Sequence, residues 1–249
     1  MLKTDRLEYI IHQVNLHNKV LLNNLSEQLN VSNDTIRRDL QELSDSGQII
    51  KIHGGAISLS FHNGSRSGKD VYAYTQKKLI AKKAVRLVTE NMFVLSGGGT
   101  TVIEMAKELP AELNATFISG SLAALIEYCK HPLLNVIAIG DKVNKASKIT
   151  VGPEAISKIK ELKADICFMG INAISVEEGI SEQDWEIVQV KKAMIEASRK
   201  LVCLTISEKI NSRQPIPICG VDKIDVLITE LSADDPKLQP YKEAGIEVI

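Results

Sequence analysis

The sequence predicts a two-domain α/β protein: a small, mostly helical N-terminal domain that ends in a β-hairpin, then a larger domain built on a mostly parallel sheet. Three observations lead there. Over the first 59 residues, helical patterns are followed by two strand-like runs around Gly54-Gly55. From Met92 onward, short apolar runs alternate with helical patterns, as in a parallel sheet covered on both faces. Between them, Ser60 to Tyr74 has few apolar residues and no period, which marks a linker. The expected boundaries are 1–59, a linker over 60–75, and 76–249.

In chain order, Leu7, Ile10, Ile11 and Val14 give a first helix over roughly Asp5 to Asn15. Lys19-Val20-Leu21 reads as a short extended segment. Leu22 to Asn30 is a short helix ending in a tight turn through Asn30 and Ser32. Ser32 then caps a helix, because its hydroxyl can accept from free first-turn N–H groups. Ile36, Leu40 and Leu43 stand at i, i+4 and i+7 and face a core. The other face carries Asn33, Thr35, Arg37, Arg38 and Gln41. Such residues suit phosphates and base edges, although a solvated amphipathic helix has the same pattern. Gly47 can supply a left-handed C-terminal residue. Gln48 to Ile52, a turn at His53-Gly54-Gly55, and Ala56 to Leu59 form a small wing.

Two helices joined by a tight turn, with a wing behind, make a winged helix-turn-helix whose second helix enters the major groove. Here the chain resembles the DeoR family of bacterial transcription regulators. The resemblance rests on VSNDTIRRDL, on the following GQIIKIHGGA, and on their spacing. It implies double-stranded operator DNA as a partner. The expected DNA-contacting residues are Ser32, Asn33, Thr35, Arg37, Arg38, Lys51 and His53.

Composition bounds the rest. The chain has 249 residues, 44% hydrophobic and 24% charged, enough for two globular domains. No apolar run approaches the ~20 residues of a membrane span, so no membrane partner is expected. The N-terminus has no secretory pattern. The four cysteines form no CxxC pair, and Cys167 and Cys203 sit in apolar runs. A cytoplasmic location fits. Net charge is −1, and the first 60 residues carry six basic against seven acidic side chains. Binding by phosphate neutralisation alone is therefore weak, so a homo-oligomer, a dimer or tetramer, is expected to gather enough contacts.

In the second domain, Gln76 to Glu90 is a helix with Leu79, Ile80, Ala84, Leu87 and Val88 inward. Lys77, Lys78, Lys82, Lys83 and Arg86 read as its solvated face. Strands are expected at 92–95, 115–118, 135–139, 165–169, 200–206, 224–229 and 247–249. Helices are expected at 102–109, 122–129, 154–162 and 185–198, with a longer loop from Ile139 to Gly152-Pro153.

Ligands of open α/β sheets bind beyond the carboxyl ends of strands, so the loops there are candidates. Ser96-Gly97-Gly98-Gly99-Thr100-Thr101 can bring N–H groups, hydroxyls and a helix dipole to one anion. It can equally be a capping box of Thr101 with Glu104. Ser119-Gly120-Ser121, Gly140-Asp141-Lys142, Gly170-Ile171-Asn172 and the segment to Ser181 are either ligand loops or plain turns. Lys209, after the strand ending at Ile206, points either inward as a phosphate partner or outward to solvent.

The DeoR resemblance runs through this domain. It implies a fold like ribose-5-phosphate isomerase that senses a phosphorylated sugar or polyol. Gly99-Thr100-Thr101, Gly152-Pro153, Gly170, Gly179 and Lys209 match the family. Gly97 stands where an Asp is usual, Ser119-Gly120 where Thr-Asn is usual, Gly140-Asp141 where a Gly pair is usual, and Ile206-Ser207-Glu208-Lys209 where Asp-Ser-Ser-Lys is usual. The expected effector residues are Gly97, Gly98, Gly99, Thr100, Thr101, Ser119, Gly120, Asp141, Asn172 and Lys209. No catalytic residue, cofactor or metal is expected. The five histidines do not cluster, and Gly97 lacks the acid an isomerase or deaminase would use. Asp141, Glu177, Glu178, Glu182 and Asp184 read as a solvated acidic set. The expected function is a regulator, in the family's commoner mode a repressor of sugar metabolism genes. The alternative is a sugar-phosphate isomerase or deaminase fused to a DNA-binding domain.

Overall fold

The computed structural model describes residues 1–59 and 71–249, so most of the expected linker lies outside the described residues. The chain divides into two compact units, Met1–Tyr74 and Thr75–Ile249.

In the first unit, α1 (Lys3–His17) buries Ile10, Val14 and Leu16 and stops at Asn18, which is left-handed. β1 (Lys19–Leu21) leads into α2 (Leu22–Leu29). Asn30, also left-handed, closes α2 by donating its N–H to Glu27 and Ser26 carbonyls. Ser32 caps α3 (Asn33–Asp45) by accepting from Thr35 N–H. β2 (Ile50–Ile52) and β3 (Gly55–Ile57) form the wing, with Gly54 in the turn at φ +78°. β1 pairs antiparallel with β3, giving the order β1-β3-β2. Gly55 is required there: a Cβ would stand 2.0 Å from the Val20 carbonyl oxygen. Ile10, Val14, Leu25, Ile36, Leu40, Leu43 and Ile49 make one core, each worth about 1.5–3 kcal/mol of burial. Into it the periodicity of α3 also carries Asp39, only 2% exposed. Arg6 of α1 grips it through Nε to Oδ2 at 2.5 Å and Nη2 to Oδ1 at 3.1 Å.

The second unit opens with α4 (Tyr74–Ala84) and a short 3-10 turn, Val85–Leu87. The row at i, i+3, i+4 and i+7 that faces inward is Lys77, Ile80, Ala81 and Ala84. This corrects three expectations: Lys77 is buried, Lys83 is half-buried with its Nζ bonded to the Thr229 and Leu231 carbonyls, and Leu79 is exposed. There follow β4 (Phe93–Ser96), α5 (Thr100–Lys107), β5 (Thr116–Ser119), α6 (Leu122–Tyr128) and β6 (Asn135–Ala138). The expected long loop contains a hairpin, β7 (Lys142–Asn144) and β8 (Ile149–Val151), then α7 (Pro153–Lys160). After β9 (Ile166–Gly170) come β10 (Ala173–Ser175) and β11 (Gly179–Glu182), then α8 (Trp185–Glu196) and β12 (Leu201–Leu204). β13 (Ile216–Cys219), β14 (Val226–Ile228), α9 (Gln239–Glu243) and β15 (Glu247–Val248) complete the chain.

The main sheet has seven parallel strands in the order β15-β14-β12-β9-β4-β5-β6. β9, β12 and β14 are almost wholly buried, which explains their continuous apolar runs. The strand order reverses between β4 and β9, the kind of topological switch point at which open α/β sheets bind ligands. β10, β11 and β13 form a second, antiparallel sheet. Among the described residues, no helix is long and apolar enough to cross a membrane.

Candidate functional site

The first candidate surface lies on α3 and the wing. The buried stripe of Ile36, Asp39, Leu40 and Leu43 turns the opposite face outward. Ser32, Asn33, Arg37, Arg38 and His53 are exposed, while Thr35 and Lys51 are half-buried. Several of these groups already have partners. The Ser32 hydroxyl is used as the cap and lies 3.0 Å from Thr35 Oγ1. Asn33 Nδ2 donates to Asn23 Oδ1 at 3.3 Å, which ties α3 to α2. Arg37 pairs with Asp34 one turn back, on an exposed face where such a pair is worth only ~0–1 kcal/mol. Lys51 Nζ donates to Gln41 Oε1 at 2.8 Å and so joins the wing to α3. Arg37 can leave its pair at little cost to meet a phosphate or a base edge.

The second candidate is the set of loops at the carboxyl ends of β12, β9, β4 and β5. Ser119, fully buried, donates to the Ser96 carbonyl at 2.9 Å and accepts from Ser121 N–H at 3.1 Å. Tyr128 OH donates to Ser96 Oγ at 2.9 Å. Its burial holds the phenol well above its ordinary pKa, so it remains a donor. These bonds fix the first two loops relative to each other, and they correct the reading of Ser119 as an effector contact: its hydroxyl is already engaged at both ends. Gly97 N–H donates to the Phe168 carbonyl at 2.9 Å, so its amide is also committed.

The next residues are different. Gly99, at φ +112°, begins α5, and no side chain caps that helix end. The capping box of Thr101 with Glu104 is therefore not formed; Glu104 pairs with Lys107 at 2.7 Å instead. Thr100 and Thr101 stand in the first turn, where N–H groups have no intrahelical acceptor. Close neighbours crowd Gly98 and Gly170. A Cβ on Gly98 would meet Ile149 Cδ1 at 2.5 Å, and one on Gly170 would meet the Gly98 carbonyl at 2.8 Å. The β7–β8 hairpin thus walls one side of this loop. It also fills the place beside Gly120, where a Cβ would stand 2.3 Å from Thr150 Oγ1.

Asp141 falls outside this group. Its carboxylate accepts from the N–H groups of Lys142, Glu154 and Ala155 at 2.6–3.1 Å, capping α7. Those backbone bonds hold its pKa below the usual Asp value. The expectation of Asp141 as an effector contact is corrected to that of a helix cap.

The turn after β12 is set by Glu230, which accepts from Ser207 N–H and Oγ. This sends Lys209 inward, 8% exposed, and its Nζ donates to Asn172 Oδ1 at 3.2 Å. Asn172 Nδ2 donates to Glu182 Oε1 at 2.7 Å, and Lys191 Nζ donates to Glu182 Oε2 at 2.9 Å. Glu182 is 3% exposed, so its reading as part of a solvated acidic loop is also corrected. Lys77 of α4 lies within electrostatic reach of Lys209, Glu104 and Glu208. The buried set holds three lysines, Lys77, Lys191 and Lys209, against two carboxylates, Glu104 and Glu182. Burial, aggravated by Lys77, pushes Lys209 down to about 7, and burial pushes Lys77 down to about 8. Burial disfavours the charged forms of these lysines, and an anion beside them would favour those forms. Sequence reasoning missed Lys77, Glu182 and Lys191. The signal for Lys77 was its place on the i, i+3, i+4 row with Ile80 and Ala81. Among the described residues, no group of three or more His, Cys, Asp or Glu side chains is placed to hold a metal ion.

The two surfaces coincide with two sequence families. Residues 6–61 match the DeoR-like helix-turn-helix domain, and residues 72–231 match the DeoR C terminal sensor domain. The chain belongs to the DeoR family. It is 31% identical over its whole length to the HTH-type transcriptional regulator GolR of Listeria innocua, covering 98% of that protein. It is 28% identical over its whole length to the HTH-type transcriptional repressor GlcR of Bacillus subtilis, covering 96% of it. A solved ribose 5-phosphate isomerase A from Methanocaldococcus jannaschii aligns with 53% of the chain and 52% of its own, at 20% identity and a TM-score of 0.39. As a DeoR member the chain is a DNA-binding transcription regulator. Its departures from the family pattern have local causes or consequences. Gly120 leaves the space that Thr150 occupies. Gly97 has ordinary clearance, with the nearest atom 3.6 Å from a built Cβ.

Proposed function

We propose that this DeoR regulator is a homo-oligomeric repressor whose operator affinity is controlled by a phosphorylated sugar or polyol. Two observations support the reading: the buried charged set of Lys77, Lys191, Lys209, Glu104 and Glu182, and the N-terminus of α5, where Gly99 offers no side-chain cap. The phosphate would sit between the first-turn N–H groups of α5, with Thr100 and Thr101, and the ammonium of Lys209. Asn172, held by Glu182 and Lys209, would face the sugar. GlcR, a repressor by name, supports the repressor reading. The effector changes DNA binding only by its differential affinity for two states of the protein.

Operator binding would use Arg37 and Arg38 at base edges or phosphates, with Ser32, Asn33, Thr35, Lys51 and His53 around them. One winged unit with a near-neutral charge gives a weak half-site contact, so two copies are required. The second unit offers an apolar surface for this: Leu122, Ile126, Leu133, Ile137 and Val143 are exposed on and beside α6 and β6.

Calorimetry with a panel of sugar phosphates and their unphosphorylated counterparts, on wild-type protein and on Lys209→Ala and Thr100→Ala, tests the effector site. Phosphate-dependent binding that both variants weaken is expected. Equal binding of unphosphorylated sugars would overturn the assignment.

A further inference from the structure

The proposed anion pocket has a contributor that lies outside the strand-end loops. α4 is the first element of the second unit, and its buried row brings Lys77, 6% exposed, into the same charged group as Lys209. The helix begins at Tyr74, only two residues after Tyr72. The Tyr72 ring stands edge-on to His12 of α1, with centroids 6.0 Å apart. Only four residues therefore separate a side chain packed on α1 from a side chain in the lysine cluster. α4 is also tied down at its far end, where Lys83 Nζ donates to the Thr229 and Leu231 carbonyls at 2.7 and 2.9 Å. Its N-terminal half is the part that a change at Lys77 can move.

We propose that Lys77 contacts the bound anion and, through the N-terminal turn of α4, passes occupancy of the pocket to the DNA-binding unit. This rests on the anion-site reading above and adds to it a residue, and a route, that the loop motifs do not contain. The electrostatics agree. Lys77 faces Glu104 from α5, Glu208 from the turn after β12, and Lys209. Lys209 in turn faces Glu182 and Lys191 as well. Burial lowers both inward lysines, and Lys77 lowers Lys209 further, so both are partly neutral near pH 8. A dianion between them favours the charged form of both, so binding must draw protons from solution.

The experiment uses inorganic phosphate as the probe on the full chain, with Lys77→Met, Lys77→Arg and Lys209→Ala. Methionine matches the aliphatic length of lysine, and circular dichroism checks that the fold is kept. Calorimetry at pH 8 in two buffers of different ionisation enthalpy gives affinity and proton uptake together. At that pH phosphate is already a dianion, so uptake reports on the protein. Hydrogen exchange of residues 3–17, with and without saturating phosphate, reads the response of α1.

The expected result is that wild type takes up about one proton or slightly more and alters exchange in α1. Lys77→Met should bind about tenfold more weakly, take up fewer protons, and leave α1 unchanged even at saturation. Lys77→Arg should restore most of the affinity. If Lys77→Met binds phosphate like wild type while Lys209→Ala does not, Lys77 is outside the site and the pocket reading survives without it. If Lys77→Met binds weakly but α1 responds fully at saturation, the route through α4 is wrong. If wild type does not bind phosphate and Lys209→Ala changes nothing, the pocket reading fails and this proposal fails with it.

Discussion

Asp39→Ala tests whether the recognition helix is held by charge as well as by apolar packing. Asp39 and Arg6 keep only 3% and 12% of their side chains in water, and two N–H groups of one guanidinium meet the two oxygens of one carboxylate. Removing one partner of such a pair strands the other. The usual loss is about 3–5 kcal/mol. Arg6 retains some solvent, so the low end, about 3 kcal/mol, applies here. A unit of this size has a total stability of about 3–9 kcal/mol by the usual per-residue range. The loss is thus a third or more of what holds it folded, or about 12–24 °C in its melting midpoint. The assay is thermal unfolding of the full chain followed by circular dichroism, where the first unit should melt separately and earlier. Operator binding by gel shift should fail above the new midpoint and persist below it. The double variant Arg6→Met with Asp39→Leu should recover most of the stability, because a buried ion pair is replaceable by apolar volume. A loss below about 1 kcal/mol in Asp39→Ala, or a double variant no better than the single one, would refute the reasoning.

Three further outcomes are expected. Gly55→Ala pushes a methyl into the Val20 carbonyl, so the β1–β3 pairing should open and the first unit should lose about 1–3 kcal/mol or more in urea unfolding. Asp141→Asn should lower the melting temperature without changing phosphate affinity. The carboxylate's folded pKa lies below its unfolded value near 3.9. Its contribution is therefore present above pH ~4 and fades as pH falls through the folded value, so the variant should also show a flatter acid limb. For Lys77 and Lys209 the sign is opposite to that of a paired lysine. Their folded values, about 8 and about 7, lie below the unfolded value near 10.4. The unfolded chain binds more protons across that window. The melting temperature of ligand-free protein should therefore rise from pH 7 to 10, and saturating phosphate should flatten the rise.

Much of the fold was readable because its elements have single, clean periods. The stripe of Ile36, Leu40 and Leu43 and the cap at Ser32 defined α3, and the continuous apolar runs marked β9, β12 and β14. Period alone does not tell an apolar residue that faces in from one beside it. Leu79 was placed inside by its type, whereas the helical row through Lys77, Ile80 and Ala81 is what the packing obeys. The β7–β8 hairpin and the β10-β11-β13 sheet were invisible because their strands have three or four residues, and β13 contains Pro217. At the site, the glycine-rich loop, Asn172 and Lys209 were legible as loops after strands. Asp141 and Ser119 were misassigned because polarity near a strand end does not reveal which backbone group already holds it. Glu182 was hidden because its partner, Lys191, lies on a different element.

The order of strands in the main sheet has a consequence for a chain being made on a ribosome. β4, β5 and β6 are contiguous in sequence and form one flank, but β4 must also join β9 across everything between Ser96 and Ile166. The winged unit emerges first and contains all of its own pairings. The lysine cluster exists only after Lys191 and Lys209 have been synthesised and that central seam has closed. During synthesis there is thus an interval in which the DNA-reading helix can be folded while nothing yet answers to an effector. A chain stalled or cut before β12 would keep the reader and lack the sensor.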